Sequence, residues 1–113
     1  MPIYEDIRDA LSDDILAGVL HEGGPLPSTH TLAESFKVNP ATAAKAASLL
    51  FDEGLLIKRR GLGLFIAGGA RLRLLERRRA AFRTAYIEPM LAEAARLGLP
   101  PRDVVAMVAA QAR

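Results

Sequence analysis

Read for pattern, this chain is a mainly helical protein with one small β-hairpin set in its middle. Three observations carry that expectation. Apolar residues recur at helical spacing over residues 3–16, and again at Leu72, Leu75, Phe82, Tyr86 and Met90. Between those stretches, two short apolar runs, 55–57 and 64–67, flank the turn Arg59-Arg60-Gly61-Leu62-Gly63, which is a hairpin signature. Glycine and proline gather at 21–27 and 97–101, where regular structure must stop.

The first helix carries Ile3, Ile7, Leu11 and Ile15 in an i+4 row widened by Ala10 and Leu16, so it faces a core. Glu5, Asp6 and Asp9 lie in its first turns, where the helix dipole favours acids, and Gly18 is its stop. A loop follows to Pro27. Ser28 is placed to cap a second helix of about two turns, whose apolar face is Leu32, Ala33 and Phe36. Asn39 is a good N-cap and Pro40 sits at the first helical position, so a third helix runs from 40 to about 53. Its inward face is Ala43, Ala46, Ala47 and Leu50; its outward face is Ala41, Thr42, Ala44, Lys45 and Ser48. Gly54 supplies a left-handed exit into the hairpin.

Past Gly68-Gly69 the pattern returns to helix. Pro89 interrupts it, because its ring removes one backbone hydrogen bond. A last apolar helix, 103–112, carries Val104, Val105, Met107 and Val108. One helix, a helix pair and a basic hairpin make a winged helix-turn-helix at 1–68, followed by a two-helix tail at 69–113.

Composition narrows the function. Half the residues are apolar, enough for a small core, and no apolar run approaches the roughly 18 residues needed to span a bilayer. The first residues show neither a basic nor an apolar leader pattern, so a cytoplasmic protein is expected. Without cysteine there is no disulfide, thiolate catalysis or cysteine-held metal, and His21 and His30 lack the carboxylate neighbours of a metal site. No nucleophile elbow or phosphate loop occurs, so neither an enzyme nor a cofactor is expected. The net charge of +2 conceals an asymmetry: residues 1–53 balance at −6, whereas 54–83 hold nine basic groups against Glu76 alone. A basic block after a helix-turn-helix is the footprint of a phosphate-binding surface. For Arg71 to Arg83, a solvated helix face is an equal reading.

The opening Pro2-Ile3-Tyr4-Glu5-Asp6-Ile7, the loop Leu26-Pro27-Ser28, the helix pair, Glu53-Gly54-Leu55 and the hairpin Arg59-Arg60-Gly61-Leu62-Gly63-Leu64-Phe65 resemble, in that order, the GntR family of bacterial transcriptional regulators. The match covers about residues 2–67. Asn39-Pro40-Ala41-Thr42 and the short tail resemble its YtrA-like subfamily. The resemblance implies a dimeric repressor that binds double-stranded DNA at a palindromic operator and controls a transporter-type operon and its own gene. It implies a phosphate contact for Ser28 and places Thr42 and Lys45 in the major groove, with Asn39 and Ala41 beside them. Gly61 and Gly63 would let the wing backbone approach the sugar-phosphate chain, with Arg59 and Arg60 adding charge. Where many members carry arginine, this sequence has His30, Pro40 and Ala44. His30 reads either as a phosphate contact or as a surface histidine. Alanines 41 and 44 can touch a thymine methyl but not make a bidentate base pair contact, so modest sequence specificity and a large electrostatic share of affinity are expected.

In the tail, Leu72, Leu75, Phe82 and Tyr86, with Met90, Val104 and Val108, are more apolar surface than one small domain covers, which points to a homodimer interface. The tail leaves no room for a conventional effector domain, although Tyr86 and Met90 leave space for a small pocket; any effector is unknown. The reading of another class is an interaction or architectural module whose winged helix binds DNA weakly and whose tail docks a protein partner.

Overall fold

The computed structural model describes residues 3–112. Three helices come first: α1 (Ile3–Ala17), α2 (Thr29–Phe36) and α3 (Pro40–Asp52). The antiparallel hairpin β1 (Leu56–Arg59) and β2 (Gly63–Ile66) follows, then α4 (Ala70–Phe82), a π-helical segment (Arg83–Ile87), α5 (Glu88–Arg96) and α6 (Pro101–Gln111). The mainly helical architecture with a small β-hairpin is the one expected. Pro2, the first residue of the opening that resembles the GntR family, lies outside the described residues.

The residues divide into two compact units, one up to Glu76 and one from Arg77. In the first, Ile7, Leu11 and Ile15 of α1 meet Ala43, Ala46, Ala47 and Leu50 of α3, and Leu55 and Ile66 close the core from the hairpin side. Ile15, Leu50, Leu55 and Ile66 are fully buried. The small residues of α3 let its axis lie close to α1. Ile3, counted in the apolar row of α1, is 56% exposed instead, because the core begins one turn further on. Arg8 fastens the pair, donating at 2.6 Å to Glu53 at the end of α3 and at 2.6 Å to its neighbour Asp9.

Residues 21–27 are more ordered than their glycine and proline content suggests. Gly23 and Leu26 donate to the carbonyls of Ile66 and Leu64, and Ile66 donates back to Gly24. The loop therefore covers the open edge of β2, whose backbone groups would otherwise go unpaired. Glu22 in the same loop accepts from the backbone N–H groups of Gly69 (2.9 Å) and Arg71 (3.2 Å), capping the start of α4. Those two bonds hold its carboxyl below the usual glutamate range.

The tail differs from its sequence pattern in two places. Ala70 and Leu74, i and i+4, are the residues of α4 buried in the first unit's core, whereas Leu72 is 58% exposed. The first turns of α4 thus pack with the winged unit, and the compact division falls after Glu76 rather than at residue 68. Pro89, which has no N–H to give, is preceded by the π turn, in which Glu88 donates five residues back to Arg83. In the second unit α5 packs on α6 through Ala94 and Val104.

Candidate nucleic-acid interface

The two helix starts are built as their sequences dictate. Ser28 is extended (φ −61°, ψ 158°) and its Oγ accepts from the Thr31 N–H at 3.1 Å while donating to the Thr31 hydroxyl at 3.0 Å. Asn39 (φ −75°, ψ 158°) accepts at Oδ1 from the Thr42 N–H at 2.8 Å and from the Thr42 hydroxyl at 3.0 Å. Both hydroxyl protons are therefore engaged within the caps. In this arrangement the Thr42 oxygen can accept from a base amino group but has no proton left for a phosphate. Lys37 turns the chain between α2 and α3 in the left-handed region (φ 57°), donating to the carbonyls of Ala33 and Glu34.

Ala41, Ala44, Lys45 and Ser48 form one exposed stripe along α3, with Thr42 half-buried at its margin. Lys45, the single cation in this helix, lies with Nζ 4.2 Å from the centre of the Tyr4 ring on α1. His30, exposed on α2, stands 3.3 Å from Glu34. An acid one turn away offsets part of any attraction between that histidine and a phosphate.

Strand pairing fixes the wing. Arg59 pairs with Gly63 and Ile57 with Phe65, so the pleat puts Arg59 and Phe65 on one face and Leu56 and Ile66 on the core face. Because Gly63 has no side chain, the Arg59 guanidinium lies across the hairpin over the Phe65 ring, 4.3 Å from its centre. Arg59 and Gly63 are strand residues, which leaves a tighter turn closed by the Leu62 N–H to the Arg59 carbonyl at 2.9 Å. Gly61 (φ 75°) and Gly63 (φ 100°) both need the left-handed region, and a Cβ at either would meet only open space. Arg60 and Leu62 project at the tip, Leu62 being 72% exposed. Between wing and α3 runs a shallow groove of about 400 Å³, lined by Ala44, Ser48 and Phe51 on one side and Lys58 and Leu64 on the other.

The basic block divides by use. Arg71 donates to the Leu16 carbonyl and Arg73 to the Gly54 carbonyl, each at 2.8 Å, tying α4 to the ends of α1 and α3. The first satisfies a carbonyl in the last turn of α1, the second one just past the cap of α3. Lys58, Arg59 and Arg60 are the exposed cations of the hairpin, beside Lys45 on α3. Among the described residues, no group of three or more His, Asp or Glu is placed to hold a metal ion.

The sequence model for the bacterial regulatory proteins of the gntR family matches residues 3–66, the three helices and both strands just described. The chain belongs to the GntR family. It is 37% identical over 75 residues to the HTH-type transcriptional repressor YtrA of Bacillus subtilis, an alignment that covers 66% of this chain and 58% of YtrA. The likeness to solved structures extends through the tail. A GntR family transcriptional regulator from Listeria monocytogenes superposes with a TM-score of 0.77 at 26% identity, over 96% of this chain and 93% of that one. A transcriptional regulator from Oenococcus oeni gives 0.84 at 24% identity, over 100% and 92%, which speaks for the fold.

Beyond the part matched by the GntR model, the apolar residues expected at an interface lie as follows. In the first unit Leu72 is exposed and Leu75 half-buried. In the second, Phe82, Tyr86, Met90 and Val108 are exposed, and the Phe82 and Tyr86 rings lie tilted by 44° with their centres 5.6 Å apart. Val104 is 6% exposed, covered by its own chain, and so is not a surface residue. The second unit carries an apolar groove of about 520 Å³ lined by Met90, Leu97, Leu99, Met107 and Val108 among others. Tyr4, Phe65, Glu22 and Lys58 were not among the candidate site residues of the sequence; Phe65 carried a local signal as the end of the hairpin motif and Lys58 through its place in the basic block, whereas Tyr4 and Glu22 carried none. Among the described residues no helix is long and apolar enough to cross a membrane.

Proposed function

We propose that this chain is a transcriptional repressor that binds double-stranded DNA, with α3 as its recognition helix and the hairpin as its wing. The observation that carries the reading is the exposed stripe of α3 beside a hairpin whose cations stand free of the core, in a region matched by the GntR model. Ser28, Asn39, Ala41, Thr42 and Lys45 make the helix-side contacts; Arg59, Arg60, Gly61 and Gly63 make the wing contacts. His30 is the weakest member of the set because Glu34 stands beside it. The repressor role is taken from the name of its relative YtrA. The stripe holds two alanines and one lysine, so it reads thymine methyls and few hydrogen-bonding base edges, and charge supplies most of the affinity.

The protein acts as a homodimer, formed through the exposed aromatic and methionine residues of the tail, on a palindromic operator in the cytoplasm. A transporter-type operon and the gene of the repressor itself are its targets. Selection of genomic fragments by the purified chain at two salt concentrations, with Lys45→Ala and Arg60→Ala in parallel, tests the proposal. A palindrome that survives the higher salt and is blurred by Lys45→Ala supports it; salt-labile binding without a common sequence refutes it. The second reading, a protein-docking module, is favoured only by the apolar groove of the tail.

A further inference from the structure

We infer that Tyr4 is a positioning residue for DNA recognition, its ring holding the Lys45 ammonium at the margin of the exposed α3 stripe so that this cation meets DNA already oriented. The inference rests on the reading of α3 as the recognition helix. Tyr4 belongs to the first turns of α1 and Lys45 to the middle of α3, and the packing of those two helices brings them together. The ring is half-buried and packed against the core cluster, so it is a fixed platform, whereas an exposed lysine without a partner samples many rotamers. Nζ lies 4.2 Å from the ring centre, within range for attraction to the π face.

The chemistry of this partner matters. A carboxylate would neutralise the lysine, as Asp9 and Glu53 do for Arg8 at 2.6 Å, and would remove it from the pool of cations open to DNA. A ring orients the ammonium while leaving its charge in place, and it engages one face of a group with three N–H donors. The remaining donors stay open to a base acceptor or a phosphate oxygen. Lys45 is the only cation in α3, so the order imposed by Tyr4 falls on the one charged reader of that helix.

The test is a double-mutant cycle on the full chain. Tyr4→Leu, Tyr4→Met and Tyr4→Phe are each combined with wild-type Lys45 and with Lys45→Met, and binding is measured to the duplex of highest affinity recovered from genomic selection. NMR of the free protein supplies a readout that needs no DNA: the ring current shifts the Lys45 ε-methylene protons upfield in the wild type and Tyr4→Phe, and the shift vanishes in Tyr4→Leu and Tyr4→Met. Loss of the ring weakens binding about two- to fivefold per recognition helix when Lys45 is present and leaves it unchanged in the Lys45→Met background. Tyr4→Phe binds as wild type. Equal weakening in both backgrounds, or the absence of an upfield shift in the wild type, overturns the inference while leaving the recognition helix standing. A Lys45→Met variant that binds as wild type overturns both.

Discussion

Replacing Asn39 separates what holds α3, the proposed recognition helix, from what that helix touches. In Asn39→Ala the start of α3 loses the acceptor of two hydrogen bonds, from the Thr42 N–H at 2.8 Å and the Thr42 hydroxyl at 3.0 Å. Both donors are within reach of water, so the loss is that of a cap and not of a buried polar group, about 1–1.5 kcal/mol. The winged unit extends to Glu76, and a domain of that size unfolds with about 2.1 cal/mol/K of entropy per residue. The midpoint of thermal unfolding should therefore fall by roughly 6–9 °C, read by circular dichroism at 222 nm. Asn39→Asp keeps the acceptor and adds a negative charge where the helix dipole favours one, so its midpoint should equal or exceed that of the wild type. The same carboxylate faces phosphates in the proposed complex, and fluorescence anisotropy should show DNA binding weakened tenfold or more at low salt, with the deficit shrinking as salt is added. An unchanged midpoint in Asn39→Ala would refute the capping argument. Undiminished DNA binding by Asn39→Asp would place the start of α3 away from the phosphate backbone.

Glu22 gives a pH dependence of known sign. Its carboxyl titrates below the usual value of 4.5 because of the Gly69 and Arg71 N–H bonds, so its stabilisation is present in full above that pH and disappears as pH falls through the lowered folded value. The difference in unfolding midpoint between wild type and Glu22→Ala should accordingly be constant from pH 6 to 8 and close in the acid range; a gap that persists at pH 2 contradicts the assignment. Lys37 holds a left-handed backbone that suits glycine, so Lys37→Gly should raise stability by about 1 kcal/mol in urea unfolding, and a loss of stability would show that the lysine side chain matters more than its φ of 57°. Phe65→Leu removes the ring under Arg59 while keeping an apolar side chain in β2. It should weaken DNA binding about two- to fivefold, with no further effect in an Arg59→Ala background; an additive loss would mean that the ring acts elsewhere.

Much of the winged unit was legible because its signals are local. Ser28, Asn39 and Pro40 announce helix starts through cap chemistry, the i+4 row Ile7, Leu11 and Ile15 marks a buried face, and Gly61 and Gly63 mark a turn. What escaped depends on residues far apart in the chain. Nothing near Tyr4 says that a lysine 41 positions on will lie over its ring, and nothing near Glu22 says that it will cap a helix 47 residues away. The edge pairing of residues 21–27 was hidden by their glycines and prolines, which argue against a strand but not against a few well-placed backbone bonds. In α4 the face through Leu72 and the face through Leu74 differ by half a turn or so, and only the core of the first unit, which takes in Ala70 and Leu74, selects the second. Nothing local sets Arg71 and Arg73 apart from the rest of the basic block, because the carbonyls they bond lie 55 and 19 residues away in the chain.

The claim that this chain works by binding DNA through α3 and the wing is tested most directly by the salt dependence of its affinity for duplex DNA. Each phosphate neutralised adds about −0.9 to the slope of log K against log salt concentration. With Lys45, Lys58, Arg59 and Arg60 engaged, the slope should be about −3 to −4 per winged helix, and the Arg59→Gln, Arg60→Gln double variant should be shallower by about 2. A slope near zero, or one that the wing substitutions leave untouched, would contradict the assignment of this surface to DNA.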